Sequence, residues 1–300
     1  MVLSQYCKAN HKEDKKMIYS KKFCIVNYSD GKFLRGTKRM KESLIKCGYT
    51  GDFLLFSESD KSRFPSHDDS PWAFKPLAIR EAFNRGYEYV LWLDSSMICI
   101  RNPRRIFSKI ICNGYYFVTQ KSDSFGEWCS DYALSELGIN REQSFSFEEL
   151  NAAIVGFNKS NEKACNILDE WCSFALKGKA FRGLPKEYNL YETFNNNNRQ
   201  CSSDIRVKGH RHDQTVLSYL VWKNHCKTSY IEIKNIQSTN KNGDSVYTKA
   251  ISFAVCMVQN RDIKYDNYLL NYSKWGNNHG IKKIIFIIMS IIETIRNCFL

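Results

Sequence analysis

No two cysteines in this 300-residue chain are spaced as C-x-x-C, although twelve are present: Cys7, Cys24, Cys47, Cys99, Cys112, Cys129, Cys165, Cys172, Cys201, Cys226, Cys256 and Cys298. Without closely spaced ligand pairs a structural zinc site is not expected. Cys24, Cys99 and Cys256 lie in apolar runs and read as small core residues, suited to a reducing cytosol. The first residues lack the apolar stretch of a secretory signal, and 1–21 reads as a polar, basic extension. No run is long and uncharged enough for a membrane-spanning helix. The most apolar, 284–292, follows Lys282 and Lys283 and is soon met by Glu293 and Arg296. There is no internal repeat. There is also no long basic run, and no zinc-finger or single-strand RNA signature accompanies the net charge of +13. Nucleic acid is therefore not the expected partner, which leaves phosphorylated small molecules and an anionic membrane surface.

What is present is enough for a sizeable core. Hydrophobic residues make up 43% and charged residues 25%, ordinary values for a globular chain of this length. The aromatic share of 14% is high. It fits a Phe- and Tyr-rich core, and also a site that stacks sugars or bases. Residues 22–29 read as a buried strand, 37–47 as a helix closed by Gly48, and 52–57 as a second strand, which together make the βαβ unit of a parallel sheet. A charged loop at 59–70 leads to a helix over 74–84, with Pro76 tolerated in its first turn and Gly86 at its end. Tyr89-Val90-Leu91-Trp92-Leu93 is a third strand. Beyond it come a helix at 103–110, a strand at 115–119, a less regular cover at 122–149, and an apolar segment at 150–157. They are followed by a helix at 161–176, a polar loop at 177–203, a helix at 212–222 and a late strand at 229–233. The fold class is α/β with a mostly parallel central sheet in one domain over 22–280, followed by an amphipathic helix at 281–300.

Three segments could carry chemistry. Asp94 stands at the end of the third strand, followed by Ser95 and Ser96. In open α/β sheets ligands bind beyond the carboxyl ends of strands. Asp94 and Ser96 can project to one side of an extended segment, and their oxygens suit a hard cation on a diphosphate. Equally, Asp94 could cap the following turn. The second segment is Asn151-Ala152-Ala153, whose small residues let a ligand approach the backbone or simply pack in a buried strand. The third is His210-Arg211-His212-Asp213-Gln214. Asp213 could be a helix N-cap, or His212, Asp213 and Gln214 could face a substrate. His210 and His212 alone are too few for a closed metal site.

In their order, these segments resemble the GT-A glycosyltransferases. That family has a first strand meeting the nucleotide, an Asp-x-Asp strand end, an Asn-Ala segment on the acceptor side and a late His-Asp-Gln element. The last two parts are similar to glycogenin-like and galactosyltransferase-like retaining enzymes. Phe74-Lys75-Pro76 with Leu91-Trp92-Leu93-Asp94-Ser95-Ser96 resembles transferases of microbial surface-polysaccharide loci. The resemblance covers residues 23–222. It implies a GT-A-like fold and transfer of a sugar from a nucleoside-diphosphate donor to a glycan or lipid-linked glycan, with Mn²⁺ or Mg²⁺ assisting. Carried over, Asn27, Tyr28, Lys75, Asp94, Ser95 and Ser96 would bind the donor, with Asp94 and Ser96 at the metal. Asn151 and Ala152 would meet the acceptor, and His212, Asp213 and Gln214 would be catalytic. The Asn151 and Gln214 elements favour retention of configuration. Two features depart from the family: Ser96 replaces its second Asp, and its late His-x-x-Gly-x-x-Lys-Pro signature has only an echo at His279-Gly280-Ile281-Lys282. Apart from the resemblance, the cysteine usage and the lack of a signal make the expected location cytoplasmic, with the helix at 281–300 either lying on the inner face of a membrane or docked on the domain. A nucleotidyltransferase-like sugar-nucleotide enzyme on a similar fold is the second reading, and a non-catalytic nucleotide- or sugar-binding relative is the third.

Overall fold

The computed structural model describes residues 22–99, 101–230, 232–239, 245–253 and 257–259. The extension expected at 1–21 and the helix expected at 281–300 lie outside them. Among the described residues no helix is long and apolar enough to cross a membrane.

A five-stranded sheet runs through the centre, in the order β2-β1-β3-β8-β5. Its strands are β1 (Phe23–Tyr28), β2 (Asp52–Phe56), β3 (Tyr89–Leu93), β5 (Tyr115–Tyr116) and β8 (Ile154–Asn158). β1 pairs in parallel with both β2 and β3, while β8 is antiparallel to β3 and to β5. Every strand but β8 therefore points the same way, as expected of a mostly parallel sheet. The carboxyl ends of β1 and β3 share one edge with the amino end of β8, and this brings 94–96 and 151–153 together although far apart in sequence.

Alternation along the strands explains the two cores. Cys24, Val26, Val90 and Trp92 face one side, where they pack with α2 (Phe74–Asn84), α5 (Glu162–Lys177) and α6 (Asp213–Lys223). Phe23, Ile25, Leu91 and Leu93 face the other side, against α1 (Leu34–Lys46) and α3 (Arg104–Asn113). A sheet covered on both faces needs strands that are apolar at successive positions, as β3 is throughout and β1 is from Phe23 to Val26. The largest fully buried side chains are mostly aromatic, including Trp92, Trp171, Phe83 and Phe157. The aromatic surplus thus goes first to the core.

Two smaller sheets complete the described chain. β6 (Val118–Ser124) lies between β7 (Glu148–Leu150) and β9 (Ser229–Tyr230). β10 (Glu232–Thr239), β11 (Ser245–Phe253) and β12 (Met257–Gln259) form an antiparallel set that joins β4 (Met97–Cys99). The strand expected at 115–119 is split between two sheets, and of the one expected at 229–233 the described residues 229–230 lie in β9 and 232–233 in β10, again in different sheets. The irregular stretch 122–149 contains α4 (Asp131–Leu137), capped by Ser130, whose side chain accepts from the Ala133 N–H. The loop expected at 177–203 contains two short helical turns, Leu190–Thr193 and Lys179–Arg182, the latter bounded by glycines in the positive-φ region (Gly178 at 76° and Gly183 at 74°).

Candidate functional site

Lys75 is the centre of the site. It lies in the first turn of α2, where the helix dipole disfavours a cation, and it is 4% exposed. A buried ammonium needs compensation, and several groups supply it. Its Nζ lies 2.9 Å from Asp213 Oδ2 and 3.2 Å from Asp94 Oδ1, and donates to the Ala152 carbonyl at 3.2 Å. The Trp92 ring adds a cation–π contact at 5.9 Å. Burial works against the charged form, but the two carboxylates outweigh it and raise the Lys75 pKa.

The two carboxylates differ in exposure. Asp213 is buried as the first residue of α6, where the dipole favours an anion. Trp171 Nε1 donates to its backbone carbonyl at 3.1 Å. Burial pushes the Asp213 pKa up to about 6, with Lys75 opposing and Asp94 adding to the rise. The Asp94 side chain is 30% exposed. Among the described residues its side-chain contacts are both made through Oδ1, to Lys75 and to Trp92 Nε1, which donates at 2.8 Å. With all three groups ionised the cluster carries one net negative charge, and its open side is at Asp94.

The Asp94–Ser96 segment corrects one expectation. It is not extended. The Met97 N–H donates to the Asp94 carbonyl at 2.9 Å, closing a tight turn from β3 into β4. Asp94 and Ser96 therefore do not alternate as on a strand. Ser95 turns inward instead, its Oγ 2.9 Å from Thr37 Oγ1 and 3.4 Å from Asn27 Nδ2. Asn27 also donates to the Leu93 carbonyl at 2.7 Å and accepts from Thr37 at 2.7 Å. Asn27 and Ser95 thus tie the ends of β1 and β3 to α1. Gly36 makes that approach possible, because a Cβ there would lie 2.5 Å from the Ser95 carbonyl oxygen. Tyr28 follows at the end of β1, its ring stacked on Phe74 at 4.4 Å and its hydroxyl donating to Asp30 at 3.4 Å.

The second and third segments meet the first. The Gln214 Oε1 accepts from the Ala152 N–H at 3.1 Å. Both polar groups of the Ala152 backbone are thus held, one by Gln214 and one by Lys75. Asn151 is buried and closes a local turn, its Oδ1 accepting from the Ala153 N–H at 2.9 Å. The Asp94 N–H donates to the Ala153 carbonyl at 2.9 Å, completing the strand edge.

His212 goes elsewhere. It, and not Asp213, is the residue that caps α6, with φ 53° and ψ −115° and no capping side-chain bond. Such a backbone costs a residue other than glycine about 1–3 kcal/mol, and it sends the ring away from the carboxylates. Nδ1 sits 2.8 Å from the Phe181 carbonyl and Nε2 3.2 Å from Thr193 Oγ1, so both ring nitrogens are occupied. Burial and the neighbouring His210 hold its pKa well below the usual histidine value. His210 is also buried, its Nε2 3.0 Å from the Ala180 carbonyl. Burial lowers its pKa to about 4. Both are neutral, satisfied core groups.

Glu149 was not singled out from the sequence. It is buried on β7 and accepts from Gln214 Nε2 at 3.2 Å. Its signal was faint: one acidic residue of a Glu148-Glu149 pair, two before Asn151.

The donor set can be weighed against the Mn²⁺ or Mg²⁺ that the resemblance implies. Among the described residues no cluster of three or more His, Cys, Asp or Glu could hold a metal ion. A closed protein cage is not built. Mg²⁺-type sites on phosphates, however, use one or two carboxylates and take their remaining ligands from water and substrate. The part-exposed Asp94 carboxylate, on a cluster with unspent negative charge, fits that open arrangement.

No protein-family model matches the chain, and no curated protein matches it. Solved structures to which it is similar include the glycosyltransferase GlyE of Streptococcus pneumoniae TIGR4, at 13% identity and a TM-score of 0.38, covering 71% of this chain and 46% of that one. The bifunctional glycosyltransferase WbbM is 12% identical with a TM-score of 0.42, over 72% of this chain and 40% of that one. A glycosyltransferase involved in glycosylation of the major capsid of PBCV-1 is 15% identical with a TM-score of 0.29, over 51% of this chain and 65% of that one. The chain thus spans less than half the length of GlyE and of WbbM. All three similar structures are glycosyltransferases by name, and the likeness is a distant one.

Proposed function

We propose that this chain is a GT-A-like glycosyltransferase that moves a sugar from a nucleoside-diphosphate donor to a glycan or lipid-linked glycan, as in surface-polysaccharide synthesis. The observation that carries this reading is the Lys75 clamp. One buried ammonium joins Asp94, Asp213 and the Ala152 backbone at the carboxyl edge of parallel strands. In the reaction the bond from the anomeric carbon to the diphosphate oxygen breaks. A bond to an acceptor oxygen forms, and the acceptor's proton passes to the departing diphosphate. Negative charge grows on the departing diphosphate, so the protein must hold charge-compensating groups in place beforehand. Asp94, aided by the Ser96 turn, would hold Mn²⁺ or Mg²⁺, which when bound neutralises that charge. Lys75 fixes the direction of Asp94 and Asp213. Tyr28 stands where the base of the nucleotide would meet β1, and Asn27 and Ser95 keep the strand ends in register beneath it. The Gln214 amide, anchored on Ala152, faces the sugar, and Asn151 shapes the acceptor-side turn. Retention of configuration is the favoured outcome.

The test is release of free nucleotide from a panel of nucleotide sugars, with and without Mn²⁺ or Mg²⁺ and acceptor. A nucleotidyltransferase would release pyrophosphate instead, and a non-catalytic relative would release nothing. Asp94→Asn should lower turnover at least about a hundredfold, the scale of losing one charge-stabilising contact, with little change in melting temperature. Near-normal turnover in the folded variant rules out Asp94 as the donor-side carboxylate. The basic, apolar tail at 281–300 would hold the enzyme loosely at an anionic membrane. Truncation before Ile281 should abolish co-sedimentation with anionic vesicles while leaving activity on a soluble acceptor. Unchanged co-sedimentation overturns that role.

A further inference from the structure

Gln214 is held at both ends of its amide. Its Oε1 accepts the Ala152 N–H and its Nε2 donates to Glu149 Oε1. These contacts fix which way the amide faces, since a flip would set the Nε2 hydrogens against the Ala152 N–H. The amide nitrogen has two hydrogens, and one is spent on Glu149, which leaves the other for a ligand.

The carboxyl that does this is unusual. Glu149 is 2% exposed, and its Oε2 is buried without a hydrogen-bond partner, because the nearby Ser218 hydroxyl donates instead to the Gln214 carbonyl at 2.7 Å. An ionised carboxylate left half-satisfied in the core is costly. A neutral carboxyl can still accept the Gln214 hydrogen through its carbonyl oxygen at much lower cost. The charged groups acting on Glu149 are Arg211, just before α6, and Asp123 on β6. Burial pushes its pKa up to about 8, against the pull of Arg211 and of the nearby Gln214 and Ser218, while Asp123 raises it further. The orphaned Oε2 and the raised pKa both favour the neutral acid at pH 7.

We infer that Glu149 is a positioning residue for sugar transfer: its uncharged carboxyl holds the Gln214 amide with one N–H free for the substrate, without placing another negative charge beside the diphosphate. This inference rests on the glycosyltransferase reading. It adds a residue outside the donor and acceptor motifs and makes its protonation a condition of activity.

Two measurements on the full-length protein test it. The first is the ¹⁵N resonance of the Gln214 side-chain amide, identified by its absence in Gln214→Ala. Its shift should follow pH with a midpoint in the Glu149 range, and the dependence should vanish in Glu149→Gln. The second is kinetic. Glu149→Ala should lower kcat about tenfold or more with nucleotide affinity nearly unchanged, and Glu149→Gln should restore most of it, because a neutral amide oxygen still accepts the Gln214 hydrogen. Glu149→Gln should also lose the decline in kcat at alkaline pH. An amide that ignores pH, or full turnover in Glu149→Ala, overturns the inference. So does a folded Glu149→Gln variant as inactive as Glu149→Ala, because the carboxyl would then act on the substrate itself. If the wild-type protein releases nucleotide from no donor, the glycosyltransferase reading fails, while the amide resonance still decides whether Glu149 sets Gln214.

Discussion

Asp213 and His212 are consecutive in the chain and both are buried, yet they belong to regions of opposite character. On the Asp213 side, ionised groups are brought together and left with one unspent negative charge and an open edge at Asp94. On the His212 side, each imidazole is neutral and matched by backbone carbonyls and a threonine hydroxyl. The backbone at His212 takes a positive φ, and that single turn separates the two. The lesson is physical. A buried polar group whose partners are all internal contributes to the fold. A buried charge whose partners leave a surplus facing solvent is poised to bind something of the other sign.

The largest effect that would break this comparison comes from removing Lys75. Lys75→Met keeps much of the side-chain volume and leaves Asp213 buried without its counter-ion. Stability should fall by about 3–5 kcal/mol, the usual consequence of orphaning a buried charge. Adding Asp213→Asn should recover a large part of that loss, since the remaining partner is then uncharged. Urea unfolding of the two variants beside the wild type reads this directly. Equal stability of Lys75→Met and the wild type would mean that the clamp is ornamental and the two regions do not differ as described.

The same contrast explains what could be read from the sequence. Phe74–Asn84 and Tyr89–Leu93 appear in the structure with the bounds expected of them, because each is a strong local pattern with clear ends. The meeting of 94–96, 151–153 and 213–214 was legible as a resemblance in motif order, and the sheet edge brings them together. The role of Lys75 as a clamp was not legible, because its two carboxylates lie 19 and 138 residues further along the chain and only the packing of α2 on β3, and of α5 against both α2 and α6, unites them. The fate of the histidines was hidden for a related reason: the turn at His212 is a backbone conformation that no side-chain pattern announces. Glu149 was missed because a buried acid cannot be told from a surface one in a Glu-Glu pair. The turn at Asp94–Ser96 was misjudged because β4 begins only at Met97, so the chain must bend at once.

A smaller effect, but one that separates the regions by sign, lies in the pH dependence of stability. His210 has a folded pKa of about 4 against an ordinary 6.5, so in that interval the unfolded chain binds more protons. Its contribution is whole above pH 6.5 and is lost as pH falls through 4. Glu149 has a folded pKa of about 8 against an ordinary 4.5, so there the folded protein binds more protons. Its contribution is whole below pH 4.5 and is lost as pH rises through 8. Each could change stability by up to a few kcal/mol across its own window. Urea midpoints measured from pH 4 to 9 should therefore show Glu149→Gln gaining on the wild type steadily from pH 4.5 to about 8 and levelling off above it. His210→Gln should start below the wild type at pH 7, because its ring packs against Gly183, where even a Cβ would come within 2.1 Å of it, and close the gap as pH drops. The slopes carry the test, since packing losses shift each curve without tilting it. A Glu149→Gln curve parallel to the wild type over pH 5–8 would mean that Glu149 is ionised in the folded protein. The surplus charge on the Asp213 side would then be larger than the single negative charge assigned to it.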